Sequence, residues 1–404
     1  MAFVGGHGRV WGLAFLLFAF MPAATVAQDA DALPARAERL GFWSPGEQEA
    51  GYRAMETIFP ATTIKAGRRV RALPVAETPL EIDFIHEHRP YTIDDFMKAN
   101  RVSGLLVISD GRIVVERYGL GRRPDERWTS FSIAKSVTST LVGAAIRDGR
   151  IRSVDDPLSR YVPELKGGAY EGVTLAQALT MRSGVHWTED YNDPASDFSR
   201  YATHMGPDFY RRMSAQPRDA APGAKFYYST AESNLIGAAV INATGKSLSR
   251  YLSEKIWKPF GMEADGVWMA SPEGLETGGI CFSATLRDYG RFGLFMLEGG
   301  RIDGKPVLPD GWIAEATARH AESGFGDLGY GYQWWVDPSG AYRGIGIMGQ
   351  ALFIDPKRKL VVVIQSAWTR AGGPERSGLH WAFLQAAADA GDRAAAAGGL
   401  PAGG

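Results

Sequence analysis

Ser132-Ile133-Ala134-Lys135 is the stretch that decides how this chain is read. Upstream, residues 102–108 and 113–118 have the make-up of two strands, and Asp110-Gly111 between them is a strong hairpin signal. Downstream, residues 136–148 are rich in Ala, Val, Leu and Ile and stop at Gly149, as a buried helix does with a glycine just past its end. Ser132 therefore falls where an irregular segment enters a helix. Residues three apart on that first turn share a face, so Lys135 can bring its amine against the Ser132 hydroxyl. A serine hydroxyl is a weak nucleophile until a base takes its proton. A lysine held in a partly apolar pocket loses enough charge stability to be that base.

The bulk numbers narrow the classes open to such a site. With 404 residues, 45% of them hydrophobic, the chain is globular and long enough for one large or two ordinary domains. A net charge of −1 and the lack of any basic run give no electrostatic case for nucleic acid. Arg9, the apolar run 11–21, Pro22 and Ala23-Ala24-Thr25-Val26-Ala27 follow the order of a secretory signal peptide cleaved after Ala27. The run is too short to span a bilayer, so the expectation is a secreted or periplasmic protein without a stable membrane span. One cysteine, Cys281, allows no internal disulfide and no thiolate metal cluster. His86-Glu87-His88 would put two imidazoles on one strand face, but no third ligand follows at metal-binding spacing, and no metal or other cofactor is expected. A Ser-His-Asp triad lacks its G-x-S-x-G elbow.

Along the chain, a signal peptide over 1–27 gives way to a lead-in over 28–89, with strand-like sequence from about 80. Helical patterns then fill the middle. Residues 175–182 follow Thr174 as a cap, 230–243 end at Gly245, 248–257 run from Ser247 to Pro259, and 284–297 close on Gly299-Gly300. Short apolar runs at 331–336, 342–348, 351–354 and 360–367 read as strands, the last two joined by Asp355-Pro356-Lys357-Arg358. An amphipathic helix over 379–388 and a low-complexity, disordered tail over 391–404 complete the order. It predicts an α+β fold, with one antiparallel sheet built from about 90–150 and 280–390, flanked by helices. A helical subdomain, about 151–279, is inserted between the two halves.

Three ordered blocks carry a resemblance. Ser132-Ile-Ala-Lys135, Tyr228-Ser-Thr230 and the strand Gly344-Ile-Gly-Ile-Met-Gly-Gln350 are similar to the signature blocks of the serine β-lactamase / penicillin-binding-protein superfamily. Supporting phrases are Asp155-Asp156-Pro157, Met181-Arg-Ser-Gly184, Glu189-Asp-Tyr-Asn-Asp-Pro194, Pro222-Gly223 and Lys258-Pro-Phe-Gly-Met262. Within the superfamily the chain most resembles the class C-like esterase branch and its 6-aminohexanoate-dimer (nylon oligomer) hydrolases, over about residues 90–390. The resemblance implies a β-lactamase/transpeptidase-like fold and an acyl-enzyme on Ser132, with Lys135 and Tyr228 handling its proton. It also implies an oxyanion hole from the Ser132 and Ile347 N–H groups, and Tyr191, Trp187 and Gly346 along the substrate. Tyr227 is adjacent and takes the phenol's role if the loop is displaced by one. The third block can be read in either of two registers, Gly344-Ile345-Gly346 or Ile347-Met348-Gly349.

Two departures bear on substrate. Thr230 stands where the β-lactamases have asparagine, and the Lys-Thr-Gly of their third block is apolar here. A lysine there would bind the carboxylate of a penicillin or a peptide C-terminus; in its absence small linear amides or esters are the expected substrates. Arg343 is the one cation near the gap. The competing readings are a β-lactamase or DD-peptidase, and a penicillin-binding-type sensor without turnover. Oligomeric state is not readable.

Overall fold

The protein, seen in a computed structural model, is described over residues 2 and 43–396; the expected leader, Ala2 aside, and residues 397–404 lie outside the described residues. Asp110 and Gly111 both take positive φ (46° and 76°), the two-residue turn whose twist matches its strands, and so join Val102–Ser109 to Arg112–Tyr118. Next to Val102–Ser109 lies Leu360–Ser366, and the sheet continues outward through Gln350–Asp355, Tyr342–Gly346, Trp335–Val336, Leu328–Tyr330 and Ala321–Phe325. Each neighbouring pair of these eight strands is antiparallel. The sheet is thus shared between the two ends of the described chain, with the helical section between them, and the class is α+β.

Both faces of this sheet are buried, and the alternation of side chains shows it. Leu106, Ile108, Leu352, Ile354, Val361 and Val363 belong to the core on one side; Leu105, Val107, Ala351, Phe353, Val362 and Ile364 belong to the core on the other. On the first side the helix Leu286–Leu297 lies so close that a Cβ on Gly293 would sit 2.4 Å from Val361. On the second side the helices Ile93–Ala99 and Pro374–Ala396 bring Phe96 and Phe383 into a stack 4.1 Å apart. Each such aliphatic or aromatic side chain contributes about 1.5–3 kcal/mol by leaving water.

A second, four-stranded sheet was not expected: Ala61–Ile64, Gly266–Met269, Phe282–Ala284 and Trp128–Thr129 pair in that order. Its last strand ends three residues before Ser132. Ahead of it, Ser44 and Glu47 form a capping box on the helix Pro45–Arg53, so the supposed lead-in is structured from Trp43.

Four local readings are corrected. Glu87 and His88 both have positive φ and form the turn between Phe84–His86 and Arg89–Tyr91, so His88 shares no strand face with His86. The helix from Leu248 passes Pro259 through a wider π turn over Ser253–Trp257 and continues to Phe260; the wider turn makes room for a residue without an N–H. Conversely, Leu175–Leu179 stops before Arg182. The terminal helix runs Pro374–Ala396, beyond residue 391 where a tail was expected, because an alanine-rich stretch has the strongest intrinsic helix preference. Among the described residues no helix is long and apolar enough to cross a membrane.

Candidate active site

Ser132 is the N-cap of the helix Ile133–Arg147, and its hydroxyl caps nothing. The turn that delivers it is held from two sides. Ser130 is bonded twice to Phe282 of the second sheet, accepting Phe282 N–H on its side-chain Oγ at 3.0 Å and donating its own N–H to Phe282 O at 2.8 Å. Phe131 has φ 44°, a left-handed conformation that costs a non-glycine residue about 1–2 kcal/mol. Its ring lies edge-to-face against Tyr52 at 5.1 Å, and its carbonyl accepts Cys281 N–H, contacts that hold the strained residue in place. The hydroxyl therefore leaves the helix end free of backbone partners and turned toward the inserted helices.

One turn along, Lys135 is 1% exposed and its Nζ reaches three oxygens: Ser132 Oγ at 3.0 Å, Thr230 Oγ1 at 3.0 Å and Gly279 O at 2.8 Å. Burial pushes its ammonium down to about 8, against the opposing pull of Glu189 and Cys281. Tyr228 stands beside the pair, with Lys135 Nζ 5.0 Å from its ring centroid and its phenol hydrogen-bonded to the Ser132 hydroxyl. Burial, then the Glu189 carboxylate, push that phenol well above its ordinary range, so the neighbouring lysine does not make it a phenolate. Tyr227 is 45% exposed and turned outward, which leaves Tyr228 as the phenol at the serine. Its ring stacks on Trp335 at 5.6 Å and meets the edge of Tyr330 at 6.1 Å.

The strand Tyr342–Gly346 runs past the start of the Ser132 helix at backbone contact. A Cβ on Gly346 would lie 2.3 Å from Ser130 O, so only glycine admits the approach there, and one on Gly344 would press on the side chains of Ser136 at 3.0 Å and Ile133 at 3.2 Å. Ile347 follows at the strand end, where Met348 and Gly349 turn the chain back with positive φ and Gly346 pairs with Gln350. The Ser132 N–H, at the N-cap, is among those for which a helix supplies no acceptor. Since Gly344 and Gly346 face the Ser132 helix, Arg343 faces the other way. Its guanidinium pairs with Asp337 at 3.1 Å and lies 4.0 Å from the Trp381 ring centroid on the terminal helix.

A Ser-x-x-Lys pair on a helix start, a half-buried tyrosine against it and a glycine strand alongside occur here in one place, and residues 92–388 match the Beta-lactamase family model. The chain belongs to the β-lactamase family. A 6-aminohexanoate-dimer hydrolase of Paenarthrobacter ureafaciens is 30% identical over 345 residues, covering 80% of this chain and 85% of that one. Esterase EstB of Burkholderia gladioli is 28% identical over 168 residues, 38% of this chain and 42% of its own. A solved Bacillus anthracis structure, provisionally described as a 6-aminohexanoate-dimer hydrolase, superposes with a TM-score of 0.77. At 24% identity it covers 88% of this chain and 95% of that one, and so shares the fold. The protein is a serine hydrolase of the β-lactamase superfamily.

Two residues beyond the tyrosine stands Thr230, with a carboxylate behind it. Glu189 accepts Thr230 N–H at 2.8 Å and Thr230 Oγ1–H at 2.5 Å, together with bonds from the Trp187 indole and, at 3.2 Å, the Tyr191 hydroxyl. Trp187, which lies in the core, and the half-buried Tyr191 are thus both tied to the site through Glu189. Sequence reasoning passed over Glu189 and Gly279, whose carbonyl holds Lys135. Glu189 sits between the two aromatics that were noticed, and a carboxylate flanked by buried donors was the available signal; a backbone carbonyl leaves none.

Proposed function

We propose that this member of the family is an exported hydrolase of small linear amides or esters, acting through an acyl-enzyme on Ser132. The observation that carries the substrate preference is the orientation of Arg343, spent on Asp337 and Trp381 on the far side of the strand. With the third block apolar, a β-lactam or peptide carboxylate meets no fixed cation from that strand. An amidase of linear oligomers and an esterase among the relatives support the same preference, and the leader-like N-terminus supports export.

The geometry fits the chemistry step by step. Neutral Lys135 takes the Ser132 proton as Oγ attacks the carbonyl carbon, and the oxyanion forms against the Ser132 and Ile347 N–H groups. The C–N or C–O bond breaks as the proton held by Lys135 reaches the leaving group by way of the neutral Tyr228 hydroxyl. Water enters where the leaving group left and repeats the route in reverse, freeing Ser132.

Two measurements test this. p-Nitrophenyl acetate or butyrate should be hydrolysed much faster than nitrocefin; nitrocefin turnover at or above the ester rate would overturn the preference. The base must be neutral to act, so kcat/KM on an ester should rise with pH through a limb near 8, falling about tenfold per unit below it. A profile already flat from pH 6 upward would mean that Lys135 is not the base.

A further inference from the structure

The three oxygens around Lys135 differ in what they can do with a proton. Gly279 O only accepts. Thr230 Oγ1 has one hydrogen and two lone pairs, and its hydrogen is committed to Glu189 Oε1 at 2.5 Å. Toward Lys135, 3.0 Å away, it therefore presents a lone pair and behaves as an acceptor. A neutral amine has two hydrogens and one lone pair. If Thr230 and Gly279 take the two hydrogens, the lone pair is left for the third neighbour, the Ser132 hydroxyl at 3.0 Å.

We propose that Glu189 is a positioning residue that, by fixing the direction of the Thr230 hydroxyl, aims the lone pair of the Lys135 amine at Ser132. Thr230 and Glu189 together offer Lys135 an acceptor whose direction is fixed. The inference rests on Ser132 and Lys135 being nucleophile and base, and it goes beyond that by assigning what makes the base directional.

The four donors on Glu189 make the role sensitive to a single atom. Oε2 receives two N–H groups, from Thr230 and Trp187, neither of which can turn into an acceptor. Oε1 receives two hydroxyls, from Thr230 and Tyr191, both of which can reverse. A glutamine at this position must keep its oxygen toward the two N–H groups, which turns its NH₂ toward the hydroxyls. The Thr230 hydrogen then swings to Lys135 and engages the lone pair that Ser132 needs. The ionisable groups facing Lys135 are Glu189, Cys281 and the Tyr228 phenol; burial pushes the Cys281 thiol up to about 12, so it stays neutral.

The test is a double-mutant cycle on the full-length enzyme with a p-nitrophenyl ester, with kcat, KM and the pH profile measured for each variant. Glu189→Gln should lower kcat by at least about 10²-fold with KM little changed, the lower end of what a positioned base contributes. Its ascending pH limb should move to lower pH, because a negative charge that favours the ammonium has gone. Thr230→Ser should keep most of the activity, and Thr230→Val should lose about as much as Glu189→Gln. On the Thr230→Val background, Glu189→Gln should cost no more than about threefold, since the hydroxyl it acts through is absent. Full cost on that background, a loss confined to KM, or an unshifted limb would overturn the proposal; so would a fully active Thr230→Val, which decides even if the glutamine variant fails to fold. Turnover by Ser132→Ala would instead overturn the assignment of nucleophile beneath it.

Discussion

Ser132→Ala should abolish turnover of every substrate and all labelling by a fluorophosphonate, while the protein stays folded. Removing a nucleophile in a serine hydrolase costs on the order of 10⁶ in kcat, because the remaining groups have nothing to activate. The stability effect should be small for a reason visible at the helix start. The Ser132 hydroxyl caps no backbone amide, so the usual penalty for losing a helix cap does not arise. Lys135 keeps Thr230 Oγ1 and Gly279 O as partners, so the loss is confined to the Ser132 hydroxyl's own bonds to Lys135 and Tyr228, about 1 kcal/mol each. The melting temperature should therefore fall by only a few degrees, and near-ultraviolet circular dichroism should match the parent protein. A labelled alanine variant would place the nucleophile elsewhere and remove the basis for reading Lys135 and Tyr228 as its partners.

What the sequence makes legible here is what short-range physics controls. Asp110-Gly111 is readable because two consecutive positive φ angles favour few other pairs. Gly149 and Gly245 are readable because they occupy left-handed positions just past helix ends. Ser132 and Lys135 are readable because a helix turn alone sets their spacing. What escapes is set at long range. The strand Ala61–Ile64 is four residues long and finds its partner at Gly266–Met269, some two hundred residues on. Its Thr-Thr-Ile suits a strand, but four residues say nothing of the partner they take. Glu189 reaches Thr230 across 41 residues of chain, and only the closed fold shows that its oxygens fall on the start of the Thr230 helix. The orientation of Arg343 lies between these cases. Strand alternation fixes that Arg343 and Gly344 point opposite ways, but which face holds the serine is known only once the Ser132 helix has been placed against the glycines.

Tyr228→Phe should lower kcat by a factor of about 10² to 10⁴ on an amide, the range for a positioned acid–base group. The substitution deletes one oxygen and keeps the ring, so the stack on Trp335 and the edge contact with Tyr330 survive, and the loss reports on proton transfer. The loss should depend on the leaving group. An amine must be protonated before the C–N bond breaks, and burial holds the Tyr228 phenol in the protonated form that can supply this proton. p-Nitrophenolate leaves without a proton, so the ester should lose less in acylation, and what it loses should lie in deacylation and appear as a burst. The ascending pH limb should stay near 8 on both substrates if Lys135 is the base, as proposed. Tyr227→Phe should be silent, since that ring faces solvent. Tyr191→Phe removes one of four donors to Glu189 and should cost far less than Tyr228→Phe. Equal losses on amide and ester would show that Tyr228 serves the Ser132 proton alone and not the leaving group. No loss on either would leave Lys135 to carry both transfers, and would mean that the phenol only packs against the serine.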